Sequence, residues 1–222
     1  MTDLVMSAPR GFLRRRRFAV LLGALITLIL ISPLFGTDPR GETDVAMLFS
    51  LVVLGFAASS KRSTVALGLA TIWLLVTWLR PFVEAVQGEV VSDLILLAIC
   101  AVAAESALRR ALGAGKVDAE ELCAAISAYV MMGVAWAAAY SVLFAVQPGA
   151  FDLAAPDAKA PWSALLYFSF ATLTTLGYGD VTPVSALARS WASVEAITGT
   201  IYLAILIAHL VSNFRGTRGD EI

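Results

Sequence analysis

The chain has 222 residues, of which 59% are hydrophobic and 15% charged, with a formal net charge of −1 and a mean hydropathy of +0.82. A soluble domain carries about a quarter charged residues and does not gather its apolar ones into long runs, so an ordinary soluble globular protein is excluded and no nucleic-acid partner is expected. Cys100 and Cys123, the only cysteines, both lie in apolar runs and are expected to be packing residues rather than a disulfide, and the single His209 leaves no Cys/His cluster for zinc.

In chain order, Arg14 to Arg17 precede an apolar stretch from Phe18 to about Leu34. It is too long for the apolar part of a secretory signal, and no convincing small-residue cleavage site follows directly, so it reads as a retained first helix. Five more spanning helices are predicted: Asp44 to Ala58, Ser63 to Trp78, Val91 to Leu108, Leu122 to Val146, and Ala186 to Phe214. The second is short. Charge asymmetry supports the count of six. With six crossings, Arg10 and Arg14 to Arg17, Lys61 and Arg62, Arg109, Arg110 and Lys116, and Arg215 and Arg218 all fall on one side. That side is expected to be the cytoplasm. The opposite side holds Asp38, Glu42, Asp44, Glu84, Glu89, Asp152 and Asp157, with basic residues only singly. The chain is therefore expected in the cell membrane with both termini cytoplasmic and lipid around it. Trp78, Trp162 and Trp191 are expected near the outer interface.

The stretch from Pro161 to Pro183 is not a simple loop. A helix-like apolar run from Ser163 to Leu173 is too short to span, and then breaks into Thr174, Thr175, Leu176, Gly177, Tyr178, Gly179 and Asp180. Non-helical backbone at membrane depth is tolerated only inside protein or along an aqueous cavity. The segment is thus predicted to enter as a half-helix and leave as an extended strand. Gly177 and Gly179 flank Tyr178 and supply, at alternate positions, the backbone freedom that lets successive carbonyls face one way. The C-terminal end of the half-helix, near Leu173 and Thr174, would favour a cation.

Thr172 to Asp180, TLTTLGYGD, resembles the signature of tetrameric potassium channels. The resemblance covers roughly Leu122 to Phe214. It implies that backbone carbonyls of Thr175, Leu176, Gly177, Tyr178 and Gly179, with the Thr175 hydroxyl, replace the hydration shell of K+. Leu176 stands where valine is usual. Tyr178 would point outwards and brace the filter. Thr174 would support it and Asp180 would sit at the outer mouth. Tyr167 and Phe168 fall where voltage-gated relatives carry paired tryptophans that cuff the filter. Pro183 and Arg189 match positions after the filter in simple bacterial channels. Gly199 falls at the family's inner-helix hinge, and Val211, Ser212, Asn213 and Phe214 match the end of the voltage-gated inner helix.

Departures are equally specific. Ala171 stands where some bacterial channels place a glutamate behind the filter, and Leu206 and Ala208 occupy the region of the proline-x-proline kink. The fourth helix, Val91 to Leu108, lacks the arginine at every third position that a voltage sensor needs; Asp93 and Glu105 lie near its ends. Glu195 is one helical turn before Gly199 and shares its face. It either bonds the pore-helix end or filter backbone, replacing support that Ala171 cannot give, or makes a structural interhelical bond. Gly199 is either a hinge or a close-packing residue. His209 either senses pH or is packed at the interface.

The expected architecture is an all-α membrane protein with six transmembrane helices, a re-entrant pore helix and a selectivity filter, assembled as a homotetramer. Residues 1–17 would be a basic cytoplasmic terminus and 18–110 a four-helix, voltage-sensor-like domain without sensing arginines. Residues 111–121 would be a linker, 122–214 the pore domain, and 215–222 a short tail with no attached gating domain. The expected function is passive, potassium-selective flux without a cofactor beyond the permeant ion. The alternatives are a non-selective cation channel or a non-conducting sensor or scaffold subunit. An enzyme is not expected, because no serine sits in a nucleophile setting with a base, and no duplicated half suggests a transporter.

Overall fold

The computed structural model describes residues 17–35, 85–111, 119–153 and 161–216. They form five helices and two very short strands: α1 (Arg17–Phe35), α2 (Ala85–Ala111), α3 (Ala119–Val146), β1 (Phe151–Asp152), α4 (Pro161–Leu173), β2 (Thr182–Pro183) and α5 (Ala186–Gly216). The protein is mostly helical over these residues. The first, fourth, fifth and last expected helices are present, α2 being longer than the apolar run alone suggested. The expected helices Asp44 to Ala58 and Ser63 to Trp78 lie outside the described residues. Both α3 and α5 are long and apolar enough to cross a membrane.

Local chemistry sets the helix ends. Pro161 opens α4 at its first position, where the missing N–H costs nothing. Ser185 caps α5 by accepting from the Ala188 N–H at 3.1 Å. Glu120, in the first turn of α3, accepts from the first backbone N–H groups of α1, Phe18 at 2.7 Å and Ala19 at 3.4 Å. A carboxylate is favoured at a helix N-terminus, and this contact fixes the starts of α1 and α3 at the same end of the bundle.

The centre of the molecule is α3. Against it pack α1 and α2 on one side and α4 and α5 on the other. One buried cluster joins Phe18, Leu21 and Leu25 of α1, Leu96, Ile99 and Cys100 of α2, and Met131 and Val134 of α3. Near the start of α2, Asp93 accepts from Ser141 Oγ, close to the end of α3, at 2.6 Å; α2 therefore runs antiparallel to α3. A second cluster, at the opposite end from Glu120, is aromatic. Tyr140, Phe151 and Phe168 meet edge to face with ring centroids 5.2–5.4 Å apart. The strands pair antiparallel, Phe151 with Pro183 and Asp152 with Thr182. Val184 and Ser185 N–H groups then donate to the Ala150 carbonyl. The chain entering α4 and the chain entering α5 are thereby held together above the cluster.

Trp162 corrects one expectation. It is buried, in contact with the core around α3, rather than displayed in an interfacial belt. Trp191 is half-buried, and Trp78 lies outside the described residues. At the far end of α2, Arg109 pairs with Glu105 at 2.6 Å on the same exposed helix surface. It reaches no other helix in that contact.

Candidate functional site: the strand that follows α4

The backbone from Thr174 to Asp180 turns sharply out of α4 and runs back as an irregular strand, exposed along its whole length in the single chain. Its conformation alternates. Thr175, Gly177 and Gly179 have φ of 59°, 56° and 80°, whereas Leu176 and Tyr178 between them do not enter the positive-φ region. Extended chain sends successive carbonyls to opposite sides; inverting every second residue brings them towards one side. Gly177 and Gly179 adopt this geometry without a Cβ penalty. At Thr175, a β-branched residue, it costs on the order of 1–3 kcal/mol. The sequence pointed to the two glycines; nothing in it singled out Thr175 as the third inverted position.

The N–H groups of the strand are directed backwards. Thr174 N donates to Phe170 O at 3.0 Å, Thr175 N to Thr172 O at 3.0 Å, and Leu176 and Gly177 N both to Ala171 O at 2.8 and 3.2 Å. Thr174 Oγ1 adds a bond to Phe170 O at 2.6 Å, and Tyr129 of α3 donates to Leu173 O at 3.0 Å. The last four carbonyls of α4, normally orphaned, are all engaged. Ala171 has no side chain with which to support the strand, but its carbonyl receives two of the strand's amides. This arrangement fixes the strand through its donors and leaves its acceptors available.

The flanking residues divide into two groups. Tyr167 donates to Asp180 Oδ1 at 2.9 Å, tying α4 to the end of the strand. Phe168 faces elsewhere, into the Tyr140 and Phe151 rings. Adjacent helix positions diverge by about 100°, so the two cannot share a face; of the expected aromatic cuff, Tyr167 alone reaches the strand's outer end in this chain. Arg189 Nε donates to Pro183 O at 3.2 Å and braces the exit turn.

Glu195, on α5, is fully buried. Its Oε2 accepts from Tyr140 Oη at 2.6 Å and its Oε1 lies 2.5 Å from Ser169 Oγ, in the middle of α4. It therefore holds the middle of α4, and neither the end of α4 nor the strand backbone from Thr174 to Asp180 is its partner. Ser169 Oγ also lies 2.7 Å from the Gly133 carbonyl of α3. One turn further along α5 is Gly199, where a Cβ would sit 2.6 Å from Leu173 O. Gly133 makes a second close approach: a Cβ there would sit 2.6 Å from the Phe170 ring. Tyr202, on the same face of α5, donates to Ala125 O at 2.6 Å. The helix continues through Gly199 without interruption.

Four residues of this site were not singled out from sequence: Tyr129, Gly133, Tyr140 and Ser169. Their signal was faint but physical, namely a glycine or a hydroxyl inside a long apolar helix, where small or polar residues mark helix contacts.

Residues 128–215, which include all of this assembly except Ala125, match a family described as "Ion channel". A stretch of 85 residues is 35% identical to "Two pore potassium channel c" of Oryza sativa subsp. japonica, covering 38% of this chain. It spans only 17% of that relative's length. No solved structure matches the chain. Residues 128–215 are thus similar to an ion channel family, and part of the chain is similar to a potassium channel.

Proposed function

We propose that the chain is one subunit of a homotetrameric, potassium-selective channel, and that Thr175 to Gly179 form one quarter of its filter. The observation that carries this reading is the inversion of backbone at Thr175, Gly177 and Gly179 with the strand's amides tied back to α4. Four such strands around an axis would offer stacked rings of carbonyl oxygens in place of water around K+. A single chain cannot use the strand. Leu176 is 51% and Tyr178 73% exposed, and α5 presents Val194, Ile197, Ile201 and Ile205 outwards. Burying these against copies of the same chain fits a closed ring. The named likeness to a potassium channel agrees with the proposed ion.

In this reading Thr175 supplies the innermost oxygens, Asp180 with Tyr167 shapes the outer mouth, and α5 lines the inner pore. Gly199 serves here as the seat of the pore-helix end, so that movement of α5 at this point would press directly on Leu173 and hence on the base of the filter.

Helix directions support six crossings with both termini on one side. The starts of α1 and α3 share one end, and α2 runs opposite to α3. The chain leaving α1 and the chain entering α2 are then at the same end, which requires an even number of crossings between them; the two expected helices satisfy this. Voltage sensing of the arginine type is not part of the proposal, because α2 carries Asp93 and Glu105 and no arginine before Arg109.

Purified protein in liposomes with an outward K+ gradient should drive uptake of a lipophilic cationic dye, and an equal Na+ gradient should not. Equal uptake under both gradients would favour a non-selective pore. No uptake under either, from intact tetramers, would favour a non-conducting subunit.

A further inference from the structure

The polar cluster behind the pore helix has too few hydrogens for a carboxylate. Three oxygen–oxygen contacts of hydrogen-bond length converge there: Tyr140 Oη to Glu195 Oε2 at 2.6 Å, Glu195 Oε1 to Ser169 Oγ at 2.5 Å, and Ser169 Oγ to Gly133 O at 2.7 Å. Tyr140 and Ser169 bring one hydrogen each and the carbonyl brings none. With Glu195 ionised, two hydrogens must serve three contacts, and one contact would press lone pairs together. Glu195, Ser169 and Tyr140 are fully buried. With a proton on Oε1 the count closes. Glu195 donates to Ser169, Ser169 donates to Gly133, and Tyr140 donates to Glu195.

The surroundings point the same way. The titratable groups facing Glu195 are Tyr140 and Tyr129, both from α3. The pore helix presents Ser169, and α5 carries no other charged residue within a turn on either side. Among the described residues no cation lies in contact with it. An unpaired charge buried among apolar helices is strongly disfavoured, whereas the neutral acid is not.

We propose that Glu195 is held as a neutral carboxylic acid and that the chain Glu195–Ser169–Gly133 is a proton-operated clamp fastening the pore helix to both α5 and α3. Loss of the proton turns the Ser169 hydroxyl towards the new carboxylate, because that is the stronger acceptor. The Gly133 carbonyl is then released, and α4 loses the Ser169 bond to α3 while keeping the one to α5. The neutral form is the one that closes the clamp, so the clamp is intact while Glu195 is protonated and is lost as pH rises through its ionisation. The gating consequence rests on the filter reading given above; the protonation state does not.

Infrared spectroscopy of the purified full-length protein at neutral pH tests the protonation directly. Subtracting the spectrum of Glu195→Gln from that of the unsubstituted protein should leave a protonated-carboxyl C=O band that shifts in D2O; a difference containing only carboxylate bands would overturn the proposal. In Ser169→Ala the same band should move to higher frequency, since the acid loses its acceptor, and an unmoved band would overturn the relay. The glutamine amide can donate permanently to Ser169 and accept from Tyr140. In lipid bilayers, alkaline pH should therefore suppress K+ current in the unsubstituted protein and leave Glu195→Gln insensitive, whereas equal alkaline suppression in both would overturn the clamp. If the protein gives the infrared band but carries no current at any pH, the channel reading fails and the neutral acid stands.

Discussion

The two sides of α3 are packed by different means. Towards α1 and α2 the contact is almost wholly aliphatic, with Leu21, Leu25, Leu96 and Ile99 in its centre, and the polar Asp93–Ser141 contact lies towards one end. Towards α4 and α5 the helices approach so closely that Gly133 and Gly199 have no room for a Cβ. Their hydroxyls and one carboxyl are bonded across the interface. Aliphatic packing tolerates small shifts, because dispersion contacts are numerous and individually weak. A directed polar network tolerates few, because each lost partner leaves a buried group unsatisfied. The side that positions the strand is thus the side whose geometry is most tightly specified.

The largest break in this comparison should come from the strand itself. Gly177→Ala or Gly179→Ala forces a Cβ into positive-φ backbone, and the strain of on the order of 1–3 kcal/mol recurs in every subunit. The expected result is a fall of about tenfold or more in K+ over Na+ permeability, since about 1.4 kcal/mol is a factor of ten. Next in size is the close-approach pair. Gly133→Ala and Gly199→Ala should each destabilise the protein by about 1–3 kcal/mol per subunit through overpacking, read as a lowered melting temperature in detergent. Gly23→Ala on α1, where a Cβ meets nothing within 4 Å, should instead be neutral or stabilising by up to about 1 kcal/mol. Equal effects at all three glycines would erase the distinction between the two sides.

The buried acid sharpens the comparison. Glu195→Ala strands the Tyr140 hydroxyl, while Ser169 keeps its bond to the Gly133 carbonyl, and should cost about 1–3 kcal/mol, with Glu195→Gln close to neutral. A smaller effect is expected from Tyr167→Phe, whose bond to Asp180 is exposed. It should leave stability nearly unchanged and appear as a few-fold faster loss of current during sustained opening. Smallest of all is Arg109→Ala. Its pair with Glu105 is exposed and of the i,i+4 type worth about 0.3–0.5 kcal/mol, so stability should barely change and the voltage dependence of opening should not change.

Much of the fold was legible because membrane helices announce themselves by length and apolarity, and α1, α3 and α5 begin or end within a few residues of where those runs do. The break after Leu173 was legible for the same reason: Thr174 to Asp180 can neither span nor continue a helix. What periodicity could not supply was direction. Tyr167 and Phe168 are neighbours in sequence and part company on the helix surface. Trp162 looked interfacial by composition and is buried by its position against α3. Glu195 was conspicuous as an acid within an apolar helix, but its partners lie 26 and 55 residues away. Only three-dimensional packing brings Ser169 and Tyr140 to it. For Gly199 the sequence was equally compatible with a hinge and with a close contact, and the distance to Leu173 O identifies a contact.

The most direct measurement is the reversal potential of the purified protein in a planar bilayer, with K+ on one side and Na+ on the other. The filter assignment predicts a reversal far towards the potassium equilibrium potential in the unsubstituted protein, collapsing towards zero in Gly179→Ala. A reversal near zero in the unsubstituted protein, or a selective reversal retained in Gly179→Ala, would contradict it.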